Sequence, residues 1–128
     1  MHSRFLSKFI VVPVLMLVAF LAGGCGDSSK PPTAISLDQI PAEFGKAFAA
    51  AKGQTKELSD LVVTAVQSKE FSNAVMALEA LSQRPDLSKI QSQTVAGASI
   101  TVNAALLEAE AKGDAQATKT LNQRRMTK

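Results

Sequence analysis

Beyond residue 25 the chain has no histidine, cysteine, tyrosine or tryptophan; its sole histidine is His2 and its sole cysteine is Cys25. Nucleophilic systems that pair Ser or Cys with His therefore cannot be assembled in the body of the chain. Zinc sites draw on Cys and His, so no metal is expected. No G-x-x-x-x-G-K-[ST] or G-x-G-x-x-G stretch offers a phosphate cradle, and no cofactor is expected. With one cysteine an intramolecular disulfide is impossible. Large apolar side chains are also scarce. The only aromatics after residue 25 are Phe44, Phe48 and Phe71, set among alanines and modest numbers of leucine and valine. Such a core is small.

Charge of one sign is not in excess either. The formal net charge is +3, but the first 24 residues hold Arg4 and Lys8 and no acid, leaving twelve basic residues against eleven acidic ones. No nucleic-acid partner is expected, because such domains show a strong basic patch. Glu108 and Glu110 point to different faces of a helix, where only i+3 and i+4 positions are neighbours. Glu57 and Asp60 are at i+3, with Glu57 in a first turn where acids offset the helix dipole. All four read as solvated surface acids, and no paired-acid catalytic site is expected.

Long apolar runs are confined to the N-terminus. "MHSRFLSK" carries two cations, and "FIVVPVLMLVAFLA" (residues 9–22) follows without a charge. Spanning the hydrocarbon core takes about 20 apolar residues. This run matches instead the h-region of a secretory signal, about 7–15 residues long, and Pro13 weakens it as a permanent helix. "LAGGC", with Leu21, Ala22, Gly23, Gly24 and Cys25, then resembles the lipobox of bacterial lipoproteins. Ala22 stands where leucine is commonest, while small Gly23 and Gly24 suit the protease cleft. The resemblance implies cleavage between Gly24 and Cys25, lipid on the Cys25 thiol, and a chain anchored in a bacterial cell envelope facing the periplasm. In enteric-type bacteria an aspartate directly after the cysteine favours the inner membrane. Gly26 takes that place here, which implies the outer one. Two or three acyl chains make attachment lasting, where one is marginal.

"GDSSKPPT" (residues 26–33) has no large apolar residue and reads as a flexible tether with a stiffer Pro-Pro element. The rest carries helical patterns and no convincing strand. Pro41 suits a helix start, and Phe44 and Phe48 share a face at i, i+4. Gly53 reads as a stop and Thr55 as the next cap. Leu58, Leu61, Val62, Ala65 and Val66 form an amphipathic stripe, and "SKE" at 68–70 a turn. Phe71, Ala74, Val75, Leu78 and Leu81 form a second stripe, ended by Arg84-Pro85. Ser88 and Gln91 match a capping box. It opens a long helix to Lys112 with Val95, Val102, Leu106 and Ala109 along one side. Its small run Ala96-Gly97-Ala98 allows close helix contact or marks a kink. "KGD" (112–114) gives a terminal glycine and a new cap. A last short helix carries Ala117 and Leu121, and "NQRRMTK" reads as a polar tail.

The expected fold is all-α: about five helices in antiparallel hairpins (56–84 and 89–126), forming a single domain from residue 34 to 128 after a cleaved leader (1–24) and a lipidated tether (25–33). "FSNAVMALEALSQRP" resembles helix B of a tetratricopeptide repeat at Phe71, Ala74, Leu78, Leu81 and Pro85. The helix before it lacks the repeat's large aromatic and glycine, and the counterpart turn at Ala115 lies 44 residues on rather than 34. The cluster Lys119, Arg124, Arg125 and Lys128 reads as helix-terminal cations and a mobile tail, or as a contact for anionic lipid or other envelope polyanions. The leading functional expectation is a non-catalytic, membrane-anchored module that binds an envelope protein or peptide in a helical groove. The alternative is a carrier or sensor of a small apolar ligand, walled by Phe44, Phe48 and Phe71.

Overall fold

Helix boundaries in this chain are set by side chains and turns that capture loose backbone groups. The computed structural model describes residues 31–128, and five helices run through them: α1 (Ile40–Ala47), α2 (Gly53–Gln67), α3 (Phe71–Ser82), α4 (Lys89–Ala111) and α5 (Ala115–Met126). There is no strand among the described residues. The leader, Gly24, Cys25 and most of the tether lie outside them.

α1 carries Pro41 in its first turn, where a missing N–H leaves no bond unmade. The periodic pattern continues to Lys52, yet the helix stops at Ala47. The Ala47 carbonyl takes a hydrogen bond from Gln91 Nε2 at 3.1 Å, which replaces the missing helical donor. Gly53 and Thr55 also differ from the sequence reading. Gly53, at φ +60°, opens α2 rather than closing α1. Thr55 does not cap the helix, which has no side-chain cap at its Lys52 N-cap position. Its hydroxyl is buried and turned toward Asp86 instead.

Other boundaries follow local chemistry closely. α2 ends in a Schellman turn: Glu70 N–H bonds the Ala65 carbonyl at 2.8 Å and Lys69 N–H that of Val66 at 3.1 Å. Lys69 adopts the left-handed conformation there, φ 58°, which costs a non-glycine residue about 1–2 kcal/mol. The same turn closes α4, with Asp114 N–H on Ala109 and Gly113 N–H on Glu110 at 3.0 Å each. Gly113 takes that position at φ +89° with no side chain to strain it. Both bonds of the Ser88–Gln91 capping box form, and Asp114 accepts from the Ala117 N–H at 2.9 Å.

The two expected hairpins are both present, as α2 with α3 and α4 with α5. α4 is the spine, packing against α1, α3 and α5. Its inner face presents Val95, Ala98, Val102 and Leu106 to Ile40, Phe44, Val62, Leu78 and Leu81 in one shared core. The outer face has a separate guest. Gly97 is covered by residues 33–35, which belong to no helix or strand: the Ile35 N–H donates to the Gly97 carbonyl at 3.2 Å, and the Thr33 carbonyl oxygen stands where a Cβ on the glycine would be. Within the small-residue run Gly97 thus serves close approach of the strap while Ala98 packs inward among the other helices, and α4 continues through it from Lys89 to Ala111 without a break. Thr33, read as tether, belongs to this packing.

Candidate functional site

The three phenylalanines do not share a wall. Phe44 and Phe48 are each 1% exposed and stack on one another, ring centroids 5.3 Å apart at 23°. They are core. Phe71 is half-buried and lines a cleft of about 300 Å³ with Leu106, Ala109, Asp114 and Ala117, where neither of the other two reaches. The rings thus do not enclose the apolar binding space expected of them.

A more apolar opening lies between α2 and α3. Leu58, Leu61, Thr64, Ala65, Met76 and Ala77 line a half-open groove of about 370 Å³, with Glu70 and Asn73 at one end. Leu61 is 56% and Met76 59% exposed, so two large apolar side chains stand in water at its lips. Leu61 belongs to the periodic stripe of α2 but lies at the stripe's edge. Val62, nearer the centre, is fully buried. An unbranched, polarizable methionine opposite a leucine makes a surface that can repack around different apolar partners.

The polar side chains work mainly as braces. The Thr55 hydroxyl donates to Asp86 Oδ2 at 2.8 Å. Arg84 Nε donates to Thr55 Oγ1 at 3.2 Å and to Asp86 Oδ1 at 3.1 Å, and its Nη1 to Gln54 Oε1 at 2.8 Å. The cluster ties the start of α2 to the segment after α3. A threonine beside a carboxylate has the outline of an activated nucleophile, but Thr55 is only 3% exposed and its oxygen accepts from Arg84. It holds structure. The Thr55 hydroxyl bond keeps the Asp86 carboxyl below its ordinary value, helped by its own backbone N–H and by Arg84 and opposed by burial. A carboxyl depressed on folding stabilises the fold above its unfolded value, about 3.9, and loses that contribution as pH falls through the folded value. Asp86→Asn is therefore expected to melt below the wild type at neutral pH. Melting curves taken across the acid range should show the gap closing below about pH 4; a constant gap would mean that Asp86 does not act through its charge.

Two of the four C-terminal cations, Arg124 and Arg125, are engaged. α5 runs to Met126, so the stretch read as a tail is largely helix. Arg124 Nε pairs with Glu79 at 2.8 Å and its Nη1 donates to Asn103 Oδ1 at 2.6 Å. Arg125 grips Glu110 with two parallel bonds of 3.1 and 3.2 Å, the geometry in which guanidinium–carboxylate pairs are strongest. Asp60 and Glu108 are likewise paired, with Lys56 and Lys112 at 2.6 and 2.7 Å. Lys112 holds the Glu108 carboxyl below its ordinary value by that bond and by its charge. Among the described residues no three His, Cys, Asp or Glu side chains converge as a metal site. No described helix is long and apolar enough to cross a membrane.

In comparisons with known proteins the chain matches no family model, and neither a curated protein nor a solved structure is significantly similar to it. The described residues define a class of fold, a small all-α bundle with an open groove between the helices of its first hairpin.

Proposed function

We infer that this chain is a non-catalytic helical module, held by lipid on Cys25 in a bacterial envelope and facing the periplasm, that binds a protein or peptide through the α2–α3 groove. The reading is carried by one arrangement in the sequence: a lone cysteine after "LAGG", an uncharged leader before it and a polar tether behind it. The groove supports the binding half, since Leu61 and Met76 present the kind of exposed apolar pair that an amphipathic helix covers. Gly26 after the anchor favours the outer membrane, by the resemblance given above. Beyond residue 25 there is no histidine for Ser–His or Cys–His chemistry to use.

Two measurements test the halves separately. Cells fed an alkyne fatty acid should label the wild-type protein, whereas Cys25→Ser should give an unlabelled, uncleaved precursor; unchanged labelling and processing would overturn the anchor. A photo-crosslinking residue at position 61 or 76 should capture one specific envelope protein. That adduct should vanish when the opposite lip is made acidic, by Met76→Glu or Leu61→Glu respectively. An adduct that survives the acidic lip is evidence against the groove.

A further inference from the structure

α4 has a second apolar face that the bundle does not use. Residues 90–107 contain no charged side chain. Val95, Ala98, Val102 and Leu106 occupy the inner side. Ile100, Ala104, Leu107 and Ala111, at i, i+4, i+7 and i+11, run along the opposite side, with Ile100 45% and Leu107 51% exposed. α4's two acids, Glu108 and Glu110, lie at its end and are each held by a cation of the same domain. The remaining charge on this helix, the exposed Lys89 at its start, is a cation and does not oppose contact with an anionic surface.

The chain's route gives this face an occupant. The strap 33–35 crosses the same outer side, over Gly97 and one turn before Ile100. Seven residues lie between Cys25 and Thr33, so the eight Cα-to-Cα steps reach at most about 26–29 Å when fully extended and nearer 15 Å for a relaxed chain. α4 itself is about 35 Å long, at 1.5 Å per residue. The tether is thus too short to wrap the domain and present its far side to the surface in which Cys25 is anchored. Its own residues, "GDSSKPP", have nothing to cover a leucine and an isoleucine.

We propose that the outer face of α4, centred on Ile100 and Leu107, rests on the lipid surface in which the chain is anchored. This rests on the lipid anchor inferred for Cys25. Two large side chains do not bind a free domain to a membrane. Tethering raises their local concentration to about the millimolar range, and there a weak apolar contact suffices to fix which side faces the bilayer. The α2–α3 groove then belongs to a domain of set orientation.

The chain has no tryptophan, so a single introduced one is a clean depth probe. Full-length Leu107→Trp and Met76→Trp proteins, expressed in cells fed the alkyne fatty acid, are purified from envelopes and placed in phospholipid vesicles with or without brominated acyl chains. Leu107→Trp should lose about half its emission to the brominated lipid, since an interfacial helix face sits about 5–10 Å into the headgroup–acyl boundary. Met76→Trp should change little. If labelled protein shows no quenching at position 107, or equal quenching at both positions, the proposed orientation is wrong while the anchor stands. If position 107 is shielded equally in both vesicle types and crosslinks to a second copy, a dimer covers the face and the proposal fails. An unlabelled Cys25 overturns anchor and orientation together.

Discussion

Phe44→Ala is expected to remove about 3–5 kcal/mol of folding stability, and Phe71→Ala, at a partly exposed ring, about 1.5–2.5 kcal/mol, half of that. The difference comes from surroundings rather than from residue type. Phe44 is closed on all sides, stacked on Phe48 and shared between α1 and the core that α4 supplies. Phe71 keeps one side on the open cleft. A domain of this size has about 5–15 kcal/mol in total, so losing Phe44 removes a large share of it. Each kcal/mol moves the midpoint by about 4–8 °C in a domain of 60–100 residues. Thermal melts followed by circular dichroism should therefore drop by roughly 12–40 °C for Phe44→Ala. The scarcity of aromatics makes the effect large, because few other large side chains are available to close the cavity. Equal losses for the two variants would contradict the placement of the rings.

The same contrast explains which parts of the fold the sequence announces. Signals that act within a turn or two were legible: the Ser88–Gln91 box, the Asp114 cap, the glycine at 113 and the stop at Arg84-Pro85 all act through neighbours in the chain. Signals that act across the fold were not. α1 ends early because Gln91, 44 residues away, takes the Ala47 carbonyl. Thr55 looks like a cap by position, but its partner Asp86 is 31 residues on. Arg124 and Arg125 read as helix-terminal and tail cations because their partners Glu79, Asn103 and Glu110 belong to other helices.

The candidate site was less legible for a related reason. Periodicity finds the side of a helix that faces the core, and it does so for α3 and, except at the exposed Leu61, for α2. Leu61 stands at the margin of its stripe and Met76 outside one, so a pattern scored for burial does not single them out as the lips of a groove. On α4 the difficulty is sharper. Apolar and small residues surround the helix, and the inner stripe through Val102 hides the outer one through Ile100 and Leu107. Only packing against α1, α3 and α5 distinguishes the two.

Gly45→Ala and Gly97→Ala are the same substitution and are expected to move stability in opposite directions. In each helix alanine is favoured over glycine by about 0.8–1 kcal/mol. At Gly45 on α1 an added Cβ meets nothing within 4 Å, so that gain is kept. At Gly97 the Cβ runs into the Thr33 carbonyl oxygen, which is backbone and cannot rotate away. It also presses on Ile35 Cγ1 at 3.0 Å and Cδ1 at 3.2 Å. The strap has to lift. Lifting breaks the Ile35 N–H bond to Gly97, worth about 0.5–1.5 kcal/mol, and loosens Ile35 and Leu37, both packed against the core. Overpacking of this kind costs about 1–3 kcal/mol, which outweighs the gain in helix propensity. Gly97→Ala should end about 1–2 kcal/mol less stable than wild type. Amide exchange gives the more direct test: the Ile35 N–H should lose its protection in Gly97→Ala and keep it in Gly45→Ala, while the amides of α2 and α3 stay protected in both. Retained protection at Ile35 together with raised stability would mean that no strap crosses α4 at Gly97. The route from tether to domain, and with it the side turned toward the anchor, would then have to be redrawn.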